Sequence, residues 1–177
     1  MIKSFKYRIY PTRKQELALN NTLTTCRYLY NNALEQRIIE YKENNKSLSY
    51  ADQCKRLTNT KNEYQKLVHS QVLQSTLKRL DTSYQNFFRR VKANKNPGFP
   101  RFKSDRRYNS FYYPQLGFRL TNDRKRISLS KIGDIKIKYS RSLPGSPKTC
   151  SVIRDIDQWF VVLTCDVDIS SVPKSTN

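Results

Sequence analysis

The residues with the most to offer chemically run from Tyr84 to Lys103: Tyr-Gln-Asn-Phe-Phe-Arg-Arg-Val-Lys-Ala-Asn-Lys-Asn-Pro-Gly-Phe-Pro-Arg-Phe-Lys. Carried on to Arg107, this stretch holds eight cations, Arg89, Arg90, Lys92, Lys95, Arg101, Lys103, Arg106 and Arg107, against the single acid Asp105. Phe87, Phe88, Phe99 and Phe102 are threaded among them. Cations alternating with rings can hold a phosphate backbone in a fixed, partly dry position. A solvated charge run would explain the Lys and Arg but not the rings. Upstream, Ser70, Gln71, Gln74 and Lys78 form a polar row where a helix begins. A Gln amide there can pair bidentately with adenine, although a plain solvated face is an equal reading. Further candidates are ring–cation neighbours such as Arg27-Tyr28, exposed rings at Tyr50, Tyr108, Tyr112 and Tyr113, and the outward cations Arg8, Lys136 and Lys138 of alternating segments.

Catalytic groupings are wanting. His69 is the only histidine and has no Cys or acid near it in sequence, which fits a surface or helix-start position. Asp155, Asp157, Asp166 and Asp168 flank a turn and the exit of a strand, so solvated strand ends describe them better than a two-metal set. There is no phosphate-cradling glycine loop and no G-x-S-x-G. By its residues the chain binds and does not cut.

A net charge of +20 over 177 residues requires an anionic partner. Nucleic acid fits best, because each neutralised phosphate releases counterions. A membrane is not expected as a partner: no stretch joins a basic face to a dry apolar one, and apolar runs are only a few residues long. Met-Ile-Lys-Ser-Phe-Lys-Tyr-Arg has no apolar signal-peptide core. The scattered cysteines 26, 54, 150 and 165 argue against zinc and for free thiols in the cytoplasm. The expected location is cytoplasmic and nucleoid-associated.

These residues need elements to position them. Residues 2–10 alternate as a half-buried strand ended by Pro11, with Phe5, Tyr7 and Ile9 on one face and Lys6 and Arg8 on the other. Thr12 and Gln15 form a capping box that starts a long helix with the stripe Leu19, Leu23, Cys26, Tyr30, Ala33, off which fall Arg27, Asn31 and Arg37. Ser49 and Asp52 open a second helix to about residue 58. A third spans about 70–92 on Leu73, Leu77, Leu80, Tyr84, Phe87 and Val91, and breaks at Asn-Pro-Gly. All four glycines lie beyond residue 97, where short strands are expected at 127–129, 135–139, 148–154 and 159–167, with a hairpin turn at 155–158. The fold class is therefore α+β. A small wedge- or OB-like β-barrel, or an open sheet, is built from residues 1–11 and 106–170. A three-helix recognition bundle with the basic segment is inserted as residues 12–105, and 171–177 form a tail.

Six stretches, in order, resemble one family: Phe5-Lys-Tyr-Arg-Ile-Tyr-Pro-Thr12 followed by Gln15, Cys26-Arg-Tyr-Leu-Tyr-Asn-Asn-Ala33, Val72-Leu-Gln-Ser-Thr-Leu-Lys-Arg-Leu80, Asn86-Phe-Phe-Arg89, Gly98-Phe-Pro-Arg-Phe-Lys103 and Leu129-Ser-Lys-Ile-Gly133. In the last, Ser130 replaces the usual proline. The chain resembles the TnpB, or OrfB-type, proteins of insertion sequences over nearly its whole length. That resemblance implies an RNA-guided DNA endonuclease whose N-terminal wedge and recognition parts hold guide RNA and read a short DNA motif beside the target. It places Tyr50 and the Gln74 face near the motif-bearing duplex. The Arg89–Lys103 segment and the basic strands would then face guide RNA or heteroduplex. The family's Gly-[Ile/Val]-Asp-[Leu/Val]-Gly strand, which opens a magnesium-dependent RuvC nuclease domain, does not follow, and its four-cysteine zinc element is not found. The expectation is a nuclease-lacking module that needs no cofactor of its own. The alternatives are half of a split nuclease, completed by a RuvC-bearing partner chain, and a DNA-only helix-turn-helix-like regulator.

Overall fold

The computed structural model describes residues 1–167. Strand β1 (Ile2–Tyr10) leads into α1 (Arg13–Asn44), α2 (Tyr50–Thr60), the one-turn α3 (Glu63–Lys66) and α4 (Ser70–Lys92). A 3-10 turn at Asp105–Arg107 precedes β2 (Ser110–Tyr113), β3 (Phe118–Leu120), β4 (Arg126–Leu129), β5 (Gly133–Lys138), β6 (Thr149–Asp155) and β7 (Gln158–Asp166).

Local chemistry explains where the helices start. Thr12 and Gln15, Ser49 and Asp52, and Asn62 and Gln65 each form a reciprocal capping box. The Asn62 box, and with it α3, was not anticipated. At α4 the cap is His69, whose Nδ1 accepts from the Gln71 amide at 3.3 Å. That helix ends five residues short of Pro97 because Asn94 takes a left-handed conformation (φ 50°), and the Lys95 amide returns to the Arg90 carbonyl at 2.9 Å. Asn94, rather than Asn-Pro-Gly, is the break.

The seven strands form one antiparallel sheet in the order β2-β6-β7-β1-β5-β4-β3. β1 pairs with β7 from Ile2↔Asp166 to Ile9↔Trp159 and with β5 at Arg8↔Lys138 to Tyr10↔Lys136. The first strand therefore lies in the middle, flanked by two of the later ones. The Asp155↔Gln158 pair closes the expected hairpin. The expected barrel is not closed, since β2 and β3 remain as opposite edges. The β2 edge is covered by helix instead: Ser75 Oγ donates to the Tyr112 carbonyl at 2.9 Å, and Arg79 Nη1 to the Ser110 carbonyl at 3.0 Å. A covered edge has no need of a strand to satisfy it. β2 and β3 were missed in the sequence because both are short and lack a clear run of β-branched residues.

One continuous core joins the helices to the inner face of the sheet, with Leu19, Cys26 and Leu34 of α1, Leu73, Leu77 and Leu80 of α4, and Tyr7, Ile127 and Val161 of the sheet. The apolar stripe of α4 leaves that core part-way, as Val91 is exposed. Arg37, expected on the open face of α1, is buried. Its Nε donates to Gln53 Oε1 at 2.8 Å, its Nη2 lies 3.3 Å from Asp81 Oδ1, and its guanidinium sits over the Tyr84 ring. Gln53 in turn donates to the Ala33 carbonyl at 2.8 Å. This polar clamp fixes α1, α2 and α4 to one another. All four cysteines are unpaired, and burial raises the thiols of Cys26, to about 11, Cys150 and Cys165. The expected tail at 171–177, and Asp168, lie outside the described residues.

Candidate nucleic-acid interface

The candidate residues fall into three places. The first is a groove of about 520 Å3 between α4, the start of α2 and β2, lined by Tyr50, Gln71, Gln74, Lys78 and Tyr112. Within it, Lys78 Nζ lies 5.1 Å from the centre of the Tyr50 ring and bonds Asp81 Oδ2 at 3.0 Å. Burial, then the Cys54 thiol, pushes the Tyr50 phenol up to about 12, so it stays a neutral hydroxyl able to donate. Gln74 is exposed. Gln71 is not equivalent to it, because its Oε1 already accepts from the Leu116 amide at 2.9 Å. Reading adenine would take both ends of an amide, so of the two glutamines Gln74 is the candidate and Gln71 is not. Ser75, Thr82 and Gln115 also line the groove and were not anticipated. They reach it because β2 docks on α4, a long-range packing event with no local sequence signal.

The second place is the outer face of the sheet. Phe5, Tyr7 and Ile9 point inward, as do Ile135 and Ile137, so Lys6, Arg8, Lys136 and Lys138 emerge together on the other side. The register sets Arg8 opposite Lys138 and Arg126 opposite Lys136. Like charges directly across a strand pair destabilise it, so an anion spanning them would relieve the repulsion. Arg8 packs over Tyr10 (4.9 Å), and Lys6 over Phe160 (4.2 Å). Lys6 also approaches Asp155 at 3.7 Å. Arg126 was missed, although it flanks the expected 127–129 strand.

The third place is the basic segment itself, which folds back along the helices as a strap. Phe99 meets Tyr84 and Phe87 edge-on, with centroids 5.7 and 5.3 Å apart. Pro100 is buried, and Asn31 clamps the Lys103 backbone from both sides: its Oδ1 accepts from the amide at 2.8 Å and its Nδ2 donates to the carbonyl at 3.0 Å. Asn31 is thus a positioning residue that sequence reasoning passed over as an off-stripe polar. Arg89, Arg90, Lys92, Lys95, Arg101, Arg106 and Arg107 are exposed along the strap and its approaches, and Lys103 lies 5.8 Å from the centre of the Tyr30 ring. Arg27 is half-buried, 4.6 Å from the centre of the Tyr28 ring and 4.0 Å from Asp105, and its Nε has no hydrogen-bond partner.

Two expectations about rings are corrected. Tyr108 and Tyr113 are buried rather than exposed. Tyr108 packs near Tyr30 and bonds Thr76 at 3.3 Å, and Tyr113 donates to the Ser130 carbonyl at 3.2 Å. Tyr113 takes an inward position of β2, a strand whose register was not foreseen, and Tyr108, at the end of the 3-10 turn, is buried against α1 and α4.

Among the described residues, no group of His, Cys, Asp and Glu could hold a metal ion. Asp155 and Asp157 sit at the β6–β7 turn, and Lys148 bonds Asp166, holding its carboxyl below the usual range. No helix among the described residues is long and apolar enough to cross a membrane.

Four likenesses bear on this arrangement. The helix-turn-helix domain of IS605-type OrfB proteins matches residues 1–46, which comprise β1, α1 and the start of the turn toward α2. The chain is 30% identical over 174 residues to "Putative RNA-guided DNA endonuclease InsQ" of Escherichia coli (strain K12), covering 96% of this chain and 42% of that protein. It is 33% identical over 183 residues to a "Putative RNA-guided DNA endonuclease" of Streptomyces pristinaespiralis, covering 98% and 44%. The chain therefore spans less than half the length of the curated relatives it matches. Among solved structures, the cryo-EM complex of Cas12f1 with sgRNA and target DNA is similar at a TM-score of 0.51 and 15% identity, over 95% of this chain and 49% of that one. That likeness is one of fold.

Proposed function

Starting from a chain that belongs to the TnpB, or OrfB-type, family of insertion-sequence proteins, we propose that it is the nucleic-acid-holding part of an RNA-guided DNA-targeting machine. The groove at Tyr50, Gln74, Lys78 and Tyr112 takes a DNA duplex carrying a short motif beside the target. Gln74 reads a base edge while Lys78 and the Tyr50 hydroxyl position phosphates. The outer sheet face at Arg8, Lys136 and Lys138 and the strap cations take guide-type RNA or heteroduplex by its backbone. Cleavage is assigned to the carboxylates of a RuvC-type nuclease part that residues 1–177 do not include. The relatives named as RNA-guided DNA endonucleases support this division, since each is more than twice the length matched here.

The observation that carries the reading is the convergence of Tyr50, Gln74, Lys78 and Tyr112 on one groove, from helices and a strand far apart in sequence. The test is binding by the purified protein to structured RNA and to a duplex library, across a salt series. Gln74→Ala should weaken duplex binding by about tenfold and relax preference at one base position, with RNA affinity unchanged. Lys136→Ala with Lys138→Ala should instead lower RNA affinity and flatten its dependence on log salt by roughly 1.5–2 units. A protein that prefers duplex with or without RNA, and whose sheet-face variants bind normally, is a DNA-only regulator, and the RNA reading is then wrong.

A further inference from the structure

A second groove, of about 510 Å3, opens between the C-terminal parts of α1 and α4, away from the sheet. Half of its lining residues carry rings: Tyr41, Tyr84, Phe87, Phe88 and Phe99. These rings turn edges and faces to one another, with Phe87 and Phe88 centroids 5.2 Å apart and Tyr84 and Phe88 6.2 Å apart. Even so, Phe88 is 51% exposed, Phe99 47% and Tyr41 62%. Apolar area left in water at roughly 25 cal/mol per Å2 is a standing cost, and a contiguous patch of it marks a binding surface. The charged groups that line the groove, Arg37 and Lys42, are cationic, and Arg89 and Arg90 stand exposed next to Phe88 on α4.

We infer that this groove is a stacking platform for unpaired bases of single-stranded nucleic acid, a site separate from the duplex groove and from the sheet face. Exposed rings take the bases, and Lys42, Arg89 and Arg90 take the flanking phosphates. Charge decides the occupant. A second copy of this chain would bring +20 to +20. An acidic amphipathic peptide would satisfy the charge, but five rings against the aliphatics Ile38 and Leu48 suit flat π systems better than a helix face. The inference rests on the nucleic-acid reading above.

The test compares a ten-nucleotide adenine strand with the same backbone bearing abasic units, which keeps the phosphates and deletes the rings. The protein should bind the base-bearing strand at least tenfold more tightly, and a 2-aminopurine placed in the strand should be quenched on binding. Phe88→Ala and Tyr41→Ala should each cut that preference by roughly tenfold, with blunt duplex affinity within about twofold of the parent. Phe88→Tyr, which keeps a ring, should restore it, and circular dichroism would show that the variants are folded. Equal affinity for abasic and adenine strands overturns the platform and hands the groove to an acidic protein segment. If duplex binding responds to Gln74→Ala while the abasic comparison fails, only this inference falls. If the protein binds none of these nucleic acids, the proposed function falls with it.

Discussion

Replacing Arg37 by Met removes the charge and the hydrogen-bonding head while keeping a chain long enough to lie on Tyr84. The cost can be worked from its two partners. Asp81 keeps bonds from Lys78 at 3.0 Å and Gln85 at 2.9 Å, so its carboxylate is not orphaned. The full 3–5 kcal/mol of a broken buried pair therefore does not apply. Gln53 fares worse: it is 2% exposed, and its Oε1 loses its donor while Nε2 stays tied to the Ala33 carbonyl. An unsatisfied buried acceptor costs about 1–3 kcal/mol. Arg37→Met should thus destabilise by about 2 kcal/mol, read as a fall in urea midpoint with the slope unchanged. The decisive variant is the pair Arg37→Met with Gln53→Leu, which removes the donor together with the orphan. That pair should be more stable than the sum of the single changes by about 1 kcal/mol or more. Strict additivity would refute the argument, because the clamp would then be two unrelated contacts.

Two further predictions concern parts of the interface. Asn31→Ala should cost about 1 kcal/mol globally, since water replaces bonds near the surface. Hydrogen exchange at the Lys103 amide should rise by about tenfold, and an unchanged rate there would mean the strap is held by Phe99 and Pro100 alone. His69 makes the start of α4 pH-sensitive: burial, then Lys131 and Lys61, holds its pKa below 6.5, and its neutral Nδ1 is the cap acceptor. A lowered folded-state pKa means the stabilisation is complete above about pH 6.5 and is lost as pH falls through the lowered value. Protonation removes the acceptor and sets a cation at a helix N-terminus. Protection of the Gln71 amide, taken relative to its intrinsic exchange rate, should fall as pH drops through that lowered value, and His69→Asn, a non-titrating cap, should flatten that response.

Much of the fold could be read because its signals are local. Thr12 with Gln15 and Ser49 with Asp52 announce helix starts within four residues, and the alternation of Phe5, Tyr7 and Ile9 announces a strand. What could not be read depends on partners distant in sequence. β2 is a strand because β6 and α4 receive it. Tyr108 and Tyr113 are buried for the same reason, and Arg37 is buried because Gln53 and Asp81 arrive from two other helices. The same limit applies to the interface. Residue type named Tyr50, Gln74, Lys78 and Tyr112 as candidates, but only the docking of β2 against α4 shows that they share a groove, and that Gln71 is spent on the Leu116 amide.

The central place of β1 has a consequence for synthesis. Its partners on β7 begin at Trp159, roughly 150 residues after β1 itself ends. At about 5–20 residues per second, the ribosome takes on the order of 10–30 s to supply them. During that interval α1 to α4 can fold on local contacts, whereas β1 can pair only at its Arg8–Tyr10 end, with the late-made β5, and Phe5 and Tyr7 stay exposed. The cations Lys6 and Arg8, set between those apolar residues, and Lys3 before them then act as gatekeepers on a strand that would otherwise be free to pair with a neighbouring nascent chain. The basic face presented by the finished sheet would thus already have served as protection against aggregation while the chain was being made.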